Sequence, residues 1–210
     1  MSTSVSSTAS FPSQEITGVI LAGGRARRMG GVDKGLVELH GKPMIEHVLR
    51  ALQPQVSNMI INANRNRDRY GAYGVEVIAD MLGDYQGPLA GIASGMHAAN
   101  TTYVLTAPCD SPLISHDLAK RLYLALLHED AEVSVAHDGN RMQPVFALLR
   151  CDLLPSLLEY LETGERKIDR WFDKHRLALA YFEDRHDMFI NVNNADERAA
   201  VEARLAGVSA

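Results

Sequence analysis

The sequence predicts an α/β fold in which a mainly parallel sheet is flanked by helices and carries a small antiparallel hairpin insertion. Short apolar segments alternate with helical patterns over roughly the first 130 residues, which is typical of βαβ units. The first apolar segment ends in a glycine-rich loop, and sheets of this class bind ligands at the carboxyl ends of their strands. Further along, two apolar runs flank Asp138 and Gly139, a dipeptide that favours a hairpin turn.

The individual elements follow from length, periodicity and turn residues. Short apolar or alternating segments predict strands at Thr17–Ala22, Asn58–Ala63, Val75–Ala79, Tyr103–Ala107, Glu132–Ala136, Val145–Leu149 and Leu177–Phe182. Helical spacing predicts helices at Pro43–Gln53, Pro88–Ala99, His116–His128, Leu153–Glu162, Lys167–Lys174 and Ala195–Leu205. The last helix begins with a capping box, because Glu197 follows Asn194 by three residues.

These elements predict a Rossmann-like sheet in a single domain over residues 16–210, because no linker, repeat or second core divides the chain. Residues 1–15 are rich in Ser and Thr and contain no Lys or Arg, so we expect a disordered extension and no signal peptide.

Composition excludes several classes of function. A net charge of −5 argues against general nucleic-acid binding, and no apolar run approaches the roughly 20 residues that span a bilayer. Two cysteines, Cys109 and Cys151, are too few for a disulfide framework, which favours a reducing, cytoplasmic location. The cysteines and histidines follow no metal-binding spacing, and no serine-hydrolase elbow occurs.

The loop after the first strand is the strongest functional signal. It concentrates glycines with cations: Gly23, Gly24, Gly30, Gly31 and Gly35 with Arg25, Arg27, Arg28 and Lys34. Glycine lets a ligand approach main-chain N–H groups, and cations neutralise phosphate charge. An ordinary strand-to-helix turn needs only one or two glycines. The loop therefore predicts a nucleoside triphosphate site, although it matches neither the Walker nor the dinucleotide-binding motif.

Polar residues close the neighbouring strands. Asp110 follows an apolar strand and could hold Mg²⁺ or cap a helix, and position alone favours neither. Asp80 follows another strand, where its two oxygens could accept the N1–H and amino donors of guanine, or where it could serve a turn. Asn62 and Asn64 could contact a base or ribose, and Asn64 could equally form an Asx-turn. The basic run at 65–69 is interpreted as a solvated loop.

The string LAGGRARRMGGVDKG at residues 21–35 resembles the L-A-G-G-x-x-x-R-M-G-x-x-K signature of nucleotidyltransferases. In full, it resembles the bacterial molybdenum cofactor guanylyltransferases. Further similar segments run from about Thr17 to Glu197: Gly87–Gly91, Pro108–Asp110, Tyr160–Arg166 and Asn191–Asn193.

This resemblance implies transfer of GMP from GTP to the phosphate of molybdenum-molybdopterin, with release of pyrophosphate. It implies Mg²⁺ as cofactor, held by Asp110 and by Asn193, although Asn193 could also make ordinary loop bonds. Implied GTP contacts are Leu21, Ala22, Gly23, Gly24, Lys34, Asn62, Asp80 and Asp110. Lys34, Arg28 and Asp110 are the implied catalytic residues, because charge neutralisation is what this displacement needs.

The implied partners are GTP, molybdenum-molybdopterin, and either molybdoenzyme apoproteins or other proteins of cofactor biosynthesis. No nucleic acid and no membrane are expected. Three other interpretations stay open on the sequence: a cytidylyltransferase acting on the same pterin, a sugar-phosphate or polyprenoid-pathway nucleotidyltransferase, and a nucleotide-binding adaptor without turnover.

Overall fold

The computed structural model describes residues 11–23, 33–83 and 87–207. Within them, the strands are β1 Ile16–Leu21, β2 Glu38–Leu39, β3 Lys42–Pro43, β4 Asn58–Asn62, β5 Glu76–Ile78, β6 Tyr103–Pro108, β7 Val133–His137, β8 Met142–Arg150 and β9 Leu177–Tyr181. The helices are α1 Met44–Leu52, α2 Arg67–Gly71, α3 Pro88–Ala98, α4 Leu118–His128, α5 Leu154–Glu162, α6 Ile168–Phe172 and α7 Ala195–Gly207.

Among the described residues, seven strands form one sheet in the order β5-β4-β1-β6-β8-β7-β9. β8 runs antiparallel to both β6 and β7, whereas the other neighbouring strands are parallel. The predicted α/β class, the mainly parallel sheet and the hairpin are thereby confirmed. β2 and β3 form a separate two-stranded antiparallel sheet, which the sequence did not predict because each strand has only two residues.

Helices cover both faces of the sheet because successive strand residues point to opposite sides. Ile20, Ile61 and Leu105 belong to a buried cluster with apolar residues of α1 and α4. Val19, Ile60 and Val104 belong to a second buried cluster, which includes apolar residues of α3, α5 and α6. A third cluster joins residues of β2, α1 and α7. The central strands are therefore buried on both sides, as parallel strands normally are.

The carboxyl ends of the parallel strands align at one edge. Leu21 of β1 lies opposite Asn62 of β4 on one side and opposite Pro108 of β6 on the other. Asn62 in turn lies opposite Ile78, the last residue of β5. From β1 the chain continues to β4 and β5 on one side of the sheet and then returns to place β6 on the other side of β1. The loop after β1 therefore lies at the topological switch point, where such sheets bind ligands.

The structure adds detail to two irregular segments. The basic run at 65–69, interpreted as a solvated loop, continues into the short helix α2, whose Tyr70 is fully buried. In the predicted extension, residues 1–10 lie outside the described part. Ser13–Glu15 form a single 3-10 turn, and the ring of Phe11 packs edge-on against Tyr123. Among the described residues, no helix has both the length and the apolar character needed to cross a membrane.

Candidate active site

Two groups of polar side chains lie at the carboxyl edge of the sheet. We call Asn62, Asn64 and Asp80 the amide–carboxylate cluster, and Lys34, Asp110 and Asn193 the ammonium cluster. The first gathers at the ends of β4 and β5, and the second gathers around the end of β6. Each cluster is held together by hydrogen bonds between its own members.

In the amide–carboxylate cluster, both oxygens of Asp80 accept hydrogen bonds from neutral amides. Asn62 Nδ2 donates to Oδ1 at 3.0 Å and Asn64 Nδ2 donates to Oδ2 at 2.7 Å. The Asp80 main-chain N–H donates to Asn64 Oδ1 at 2.8 Å. These bonds fix the orientation of the carboxylate. The arrangement differs from the turn role considered for Asp80, because both side-chain partners come from the neighbouring strand segment.

Gly91 of α3 lets this cluster lie against the helix. A Cβ at position 91 would lie 2.5 Å from Asn62 Oδ1 and 2.9 Å from Leu21 Cδ2. The Asn62 side chain is nearly fully buried, so it has little room to move away. A Cβ on Gly23, just after β1, would meet Asn62 Oδ1 and Asn64 Nδ2 at 3.5 Å each. Gly23 and Gly91 therefore border the cluster that the sequence predicted at this edge.

In the ammonium cluster, Lys34 Nζ lies between two oxygens from distant parts of the chain. It is 2.9 Å from Asp110 Oδ2 and 2.5 Å from Asn193 Oδ1. The pair is partly shielded, because the Lys34 and Asp110 side chains are 29% and 13% exposed. The helix-cap alternative for Asp110 is excluded, because α4 begins at Leu118 with Asp117 at its N-cap.

The segment carrying Asn193 is fastened beside Asp110. Val192 N donates to the Asp110 carbonyl at 3.1 Å, and the buried Ser111 donates through Oγ to Asn191 Oδ1 at 2.6 Å. Asn191 thus ties this segment to the loop after β6. The predicted capping residue Asn194 accepts the N–H of Glu197 through its side chain at 2.9 Å.

The residue before Lys34 is held by a contact that the sequence did not predict. Asp33 is buried, and its carboxylate accepts from Tyr70 Oη at 2.6 Å and from Asn66 Nδ2 at 3.2 Å. Burial raises the pKa of Tyr70 well above its usual range, with smaller contributions from Cys109 and Asp33, so the phenol stays protonated and donates. A Cβ on Gly35 would lie 2.6 Å from Tyr70 Oη, so glycine is required for this approach.

The ammonium cluster contains oxygen atoms of the kind that bind cations. Two oxygens, one carboxylate and one amide, converge on the position of a cation, here the Lys34 ammonium. Mg²⁺ is commonly bound by one or two protein oxygens together with substrate phosphates. Among the described residues, no group of three or more His, Cys, Asp or Glu could hold a metal. Asp110 and Asn193 therefore fit a magnesium ion that a nucleotide also ligates, not one caged by protein alone.

Neither cysteine has the properties of a nucleophile. Burial, followed by the charges of Asp110 and Asp33, raises the pKa of the Cys109 thiol well above its usual value. Burial also raises the pKa of Cys151 to about 11. Both thiols are thus protonated at neutral pH, as expected for cysteines that fill space.

The remaining predicted residues lie at the end of β1 or just after it. The Ala22 N–H donates to the Asn62 carbonyl at 2.8 Å, so it continues the strand ladder. Among the backbone amides near Ala22–Gly24, which the glycine loop predicts as phosphate contacts, that of Ala22 already has this partner within the sheet. The Leu21 carbonyl accepts from Cys109 N at 3.2 Å. The predicted Gly24 and Arg28 lie outside the described residues.

Comparison with known proteins identifies the family. The chain is 49% identical over 193 residues, 92% of its length and 98% of the relative's, to the molybdenum cofactor guanylyltransferase of Shewanella sp. (strain MR-4). The chain belongs to the molybdenum cofactor guanylyltransferase family. In agreement, the family described as MobA-like NTP transferase domain matches residues 18–179. Membership makes this chain a nucleotidyltransferase.

Solved structures show the same fold. The chain is similar to molybdopterin-guanine dinucleotide biosynthesis protein A from Archaeoglobus fulgidus, with a TM-score of 0.76, 21% identity and coverage of 91% of this chain and 99% of the other. It is also similar to 4-diphosphocytidyl-2C-methyl-D-erythritol synthase from Anaerococcus prevotii, with a TM-score of 0.74, 13% identity and coverage of 93% and 98%. Proteins named for different products share this fold, so fold alone does not set the substrate.

Proposed function

We propose that this chain transfers GMP from GTP to the phosphate of molybdenum-molybdopterin, forming the guanine dinucleotide cofactor and releasing pyrophosphate. The observation that carries the proposal is the 49% identity, over almost the full length of both chains, to a relative named molybdenum cofactor guanylyltransferase. The two clusters support it, because they offer separate chemistry for a base and for phosphates at one edge of the sheet.

The amide–carboxylate cluster suits the guanine base. Guanine presents two adjacent donors, N1–H and the exocyclic amino group, and the carboxylate of Asp80 has two acceptor oxygens. Each oxygen receives one bond from Asn62 or Asn64 and retains capacity for another. Cytosine and adenine lack the paired donors, so Asp80 would favour GTP over CTP and ATP.

The ammonium cluster suits the triphosphate and Mg²⁺. Asp110 and Asn193 would hold the metal, which supplies positive charge against the nucleotide phosphates when bound. Lys34 would pair with phosphate oxygens and offset the charge that develops on the leaving pyrophosphate. The remaining phosphate contacts would come from Gly23 and from two further residues of the glycine loop, Gly24 and Arg28.

The reaction requires no protein nucleophile. The acceptor phosphate is already anionic and attacks the α-phosphorus of GTP directly, while the bond to pyrophosphate breaks. The protein's contribution is therefore to align the two substrates and to neutralise charge. This agrees with two cysteines whose thiols are protonated and whose positions are buried or half-buried.

The relatives do not favour the alternatives. The cytidylyl and sugar-phosphate interpretations would require a different base or acceptor from those in the relatives' name. For partners, we propose GTP and molybdenum-molybdopterin as substrates, with molybdoenzyme apoproteins or other cofactor-biosynthesis proteins as recipients. Both described cysteines are unpaired, which agrees with the cytoplasmic location that we propose.

Nucleotide titration of the purified protein with Mg²⁺ tests the proposal. We expect GTP to bind more tightly than CTP or ATP, and pyrophosphate release to require a molybdopterin acceptor. Asp80→Asn removes one acceptor and the charge, and should weaken GTP binding about 10- to 100-fold without changing residual CTP or ATP binding. Equal loss for all three nucleotides would show that Asp80 serves the fold or the phosphates instead.

A further inference from the structure

We propose that Asn64 is the positioning residue of guanine selection, because it fixes both the main chain and the carboxylate of Asp80. The proposal rests on the proposed function, in which Asp80 contacts the guanine edge. It assigns to Asn64 no contact with the nucleotide. Its role is to hold the two Asp80 oxygens where two adjacent donors can reach them.

The sheet itself does not hold Asp80. β5 ends at Ile78, and the last main-chain bond between the two segments runs from Ala63 N to the Ile78 carbonyl at 2.8 Å. Asp80 lies two residues beyond that point. Its main-chain N–H is instead received by the Asn64 side-chain carbonyl at 2.8 Å. The Asn64 side chain thus acts in place of the main-chain ladder where the ladder stops.

The same side chain also orients the carboxylate. Asn64 Nδ2 donates to Asp80 Oδ2 at 2.7 Å, so one amide contacts Asp80 at two points. Asn62 contacts the other oxygen alone, at 3.0 Å. A carboxylate turns readily about its last torsion unless both oxygens are bonded. The Asn62 and Asn64 contacts therefore fix the plane of the Asp80 carboxylate, and the two Asn64 contacts also fix its distance from the end of the sheet.

This geometry replaces the Asx-turn considered for Asn64. An Asx-turn bonds a side chain to the main chain about two residues ahead. The bonds between Asn64 and Asp80 instead span 16 residues and join the loops after β4 and β5. Asn64 is half-buried, and its removal leaves the adjoining strands paired, so its effect should fall on the site more than on the fold.

The affinities for two purine nucleotides, GTP and ITP, report the position of the Asp80 carboxylate. ITP keeps the N1–H of guanine and lacks the exocyclic amino group, so the ratio of GTP to ITP affinity reports the second hydrogen bond. We expect Asn64→Ala to reduce this ratio roughly tenfold, the value of one hydrogen bond to a charged group. Asn64→Asp keeps the acceptor for the Asp80 N–H but replaces the donor with a carboxylate oxygen, and should reduce the ratio at least as much.

Asn58→Ala is the matched control, because Asn58 is exposed at the opposite end of β4. Binding of GTP and ITP with Mg²⁺ is measured by calorimetry, together with thermal unfolding. A lower ratio in either Asn64 variant, with the ratio of the control unchanged, supports the proposal. A wild-type ratio in the Asn64 variants, or an equal loss of both affinities, overturns it. Wild-type protein that binds GTP and CTP equally overturns the proposed function and this inference together.

Discussion

Replacing Gly91 with alanine tests whether the buried Asn62 amide is part of the nucleotide site. The added Cβ would lie 2.5 Å from Asn62 Oδ1, well inside the 3.0 Å that real Cβ contacts keep. It would also lie 2.9 Å from Leu21 Cδ2, the end of a side chain that can turn aside. Asn62 cannot move so freely, because it is 2% exposed and its Nδ2 donates to Asp80 at 3.0 Å.

Two terms decide the effect of Gly91→Ala on stability. Overpacking a core position costs about 1–3 kcal/mol, and replacing a mid-helix glycine with alanine returns about 0.5–1 kcal/mol. We therefore expect a net loss of about 0–2.5 kcal/mol in the free energy of unfolding. The effect on GTP binding should exceed the effect on stability, because displacing Asn62 disturbs the carboxylate of Asp80. GTP affinity should fall about 10- to 100-fold.

Gly95→Ala on the same helix is the control. Its Cβ would lie 2.8 and 2.9 Å from the Val19 methyl groups, so the overpacking is similar and purely apolar. Thermal unfolding and calorimetric GTP titration are measured on both variants. We expect comparable changes in stability and a loss of affinity only for Gly91→Ala. Wild-type affinity in Gly91→Ala, or equal losses of affinity in the two variants, would refute the role of Asn62.

Three further predictions concern charged residues. Lys34→Ala should reduce turnover strongly while the melting temperature hardly changes, because a partly exposed ion pair contributes little to stability; a large drop in melting temperature would make Lys34 structural. Asp110→Ala should lower the GMP-transfer rate by on the order of 10²–10³ or more and remove most of the Mg²⁺ dependence of GTP binding; near wild-type transfer would exclude it as a metal ligand. The hydrogen bond from Arg121 lowers the pKa of Asp184 from 3.8 to about 2. Because the folded-state pKa is the lower one, the stabilisation is present above about pH 4 and is lost as pH falls towards 2, and Asp184→Asn should flatten that part of the denaturation profile.

The predicted site residues share a simple origin in the sequence. Asn62 ends an apolar strand, Asp80 and Asp110 each follow one, and parallel strands end at a common edge. That rule brings together residues far apart in the chain without any knowledge of side-chain contacts. It cannot assign main-chain donors, because these depend on register. The Ala22 N–H, for example, is bonded to the Asn62 carbonyl and continues the sheet.

Contacts between irregular segments could not be predicted. Tyr70 lies in a run dominated by charged residues, where a single buried aromatic residue gives no periodic signal. Its bond to Asp33 spans 37 residues, and Asn66, which also donates to Asp33, has a positive φ of 51°. The approach of Asn193 to Lys34 spans 159 residues and likewise has no local pattern. Such contacts depend on tertiary packing, whereas strand ends depend on local composition.

The charges of the two clusters indicate how a triphosphate could be neutralised. In the amide–carboxylate cluster, neutral amides leave the Asp80 charge available to the donors of a base. In the ammonium cluster, the Lys34 charge is already compensated by Asp110 at 2.9 Å. That cluster alone therefore adds almost no net positive charge for a ligand that carries several negative ones. Under the proposed function, the balance would come from Mg²⁺ and from the arginines that the sequence places in the glycine loop. The phosphate affinity of this site should therefore depend on Mg²⁺ more steeply than its preference for guanine does.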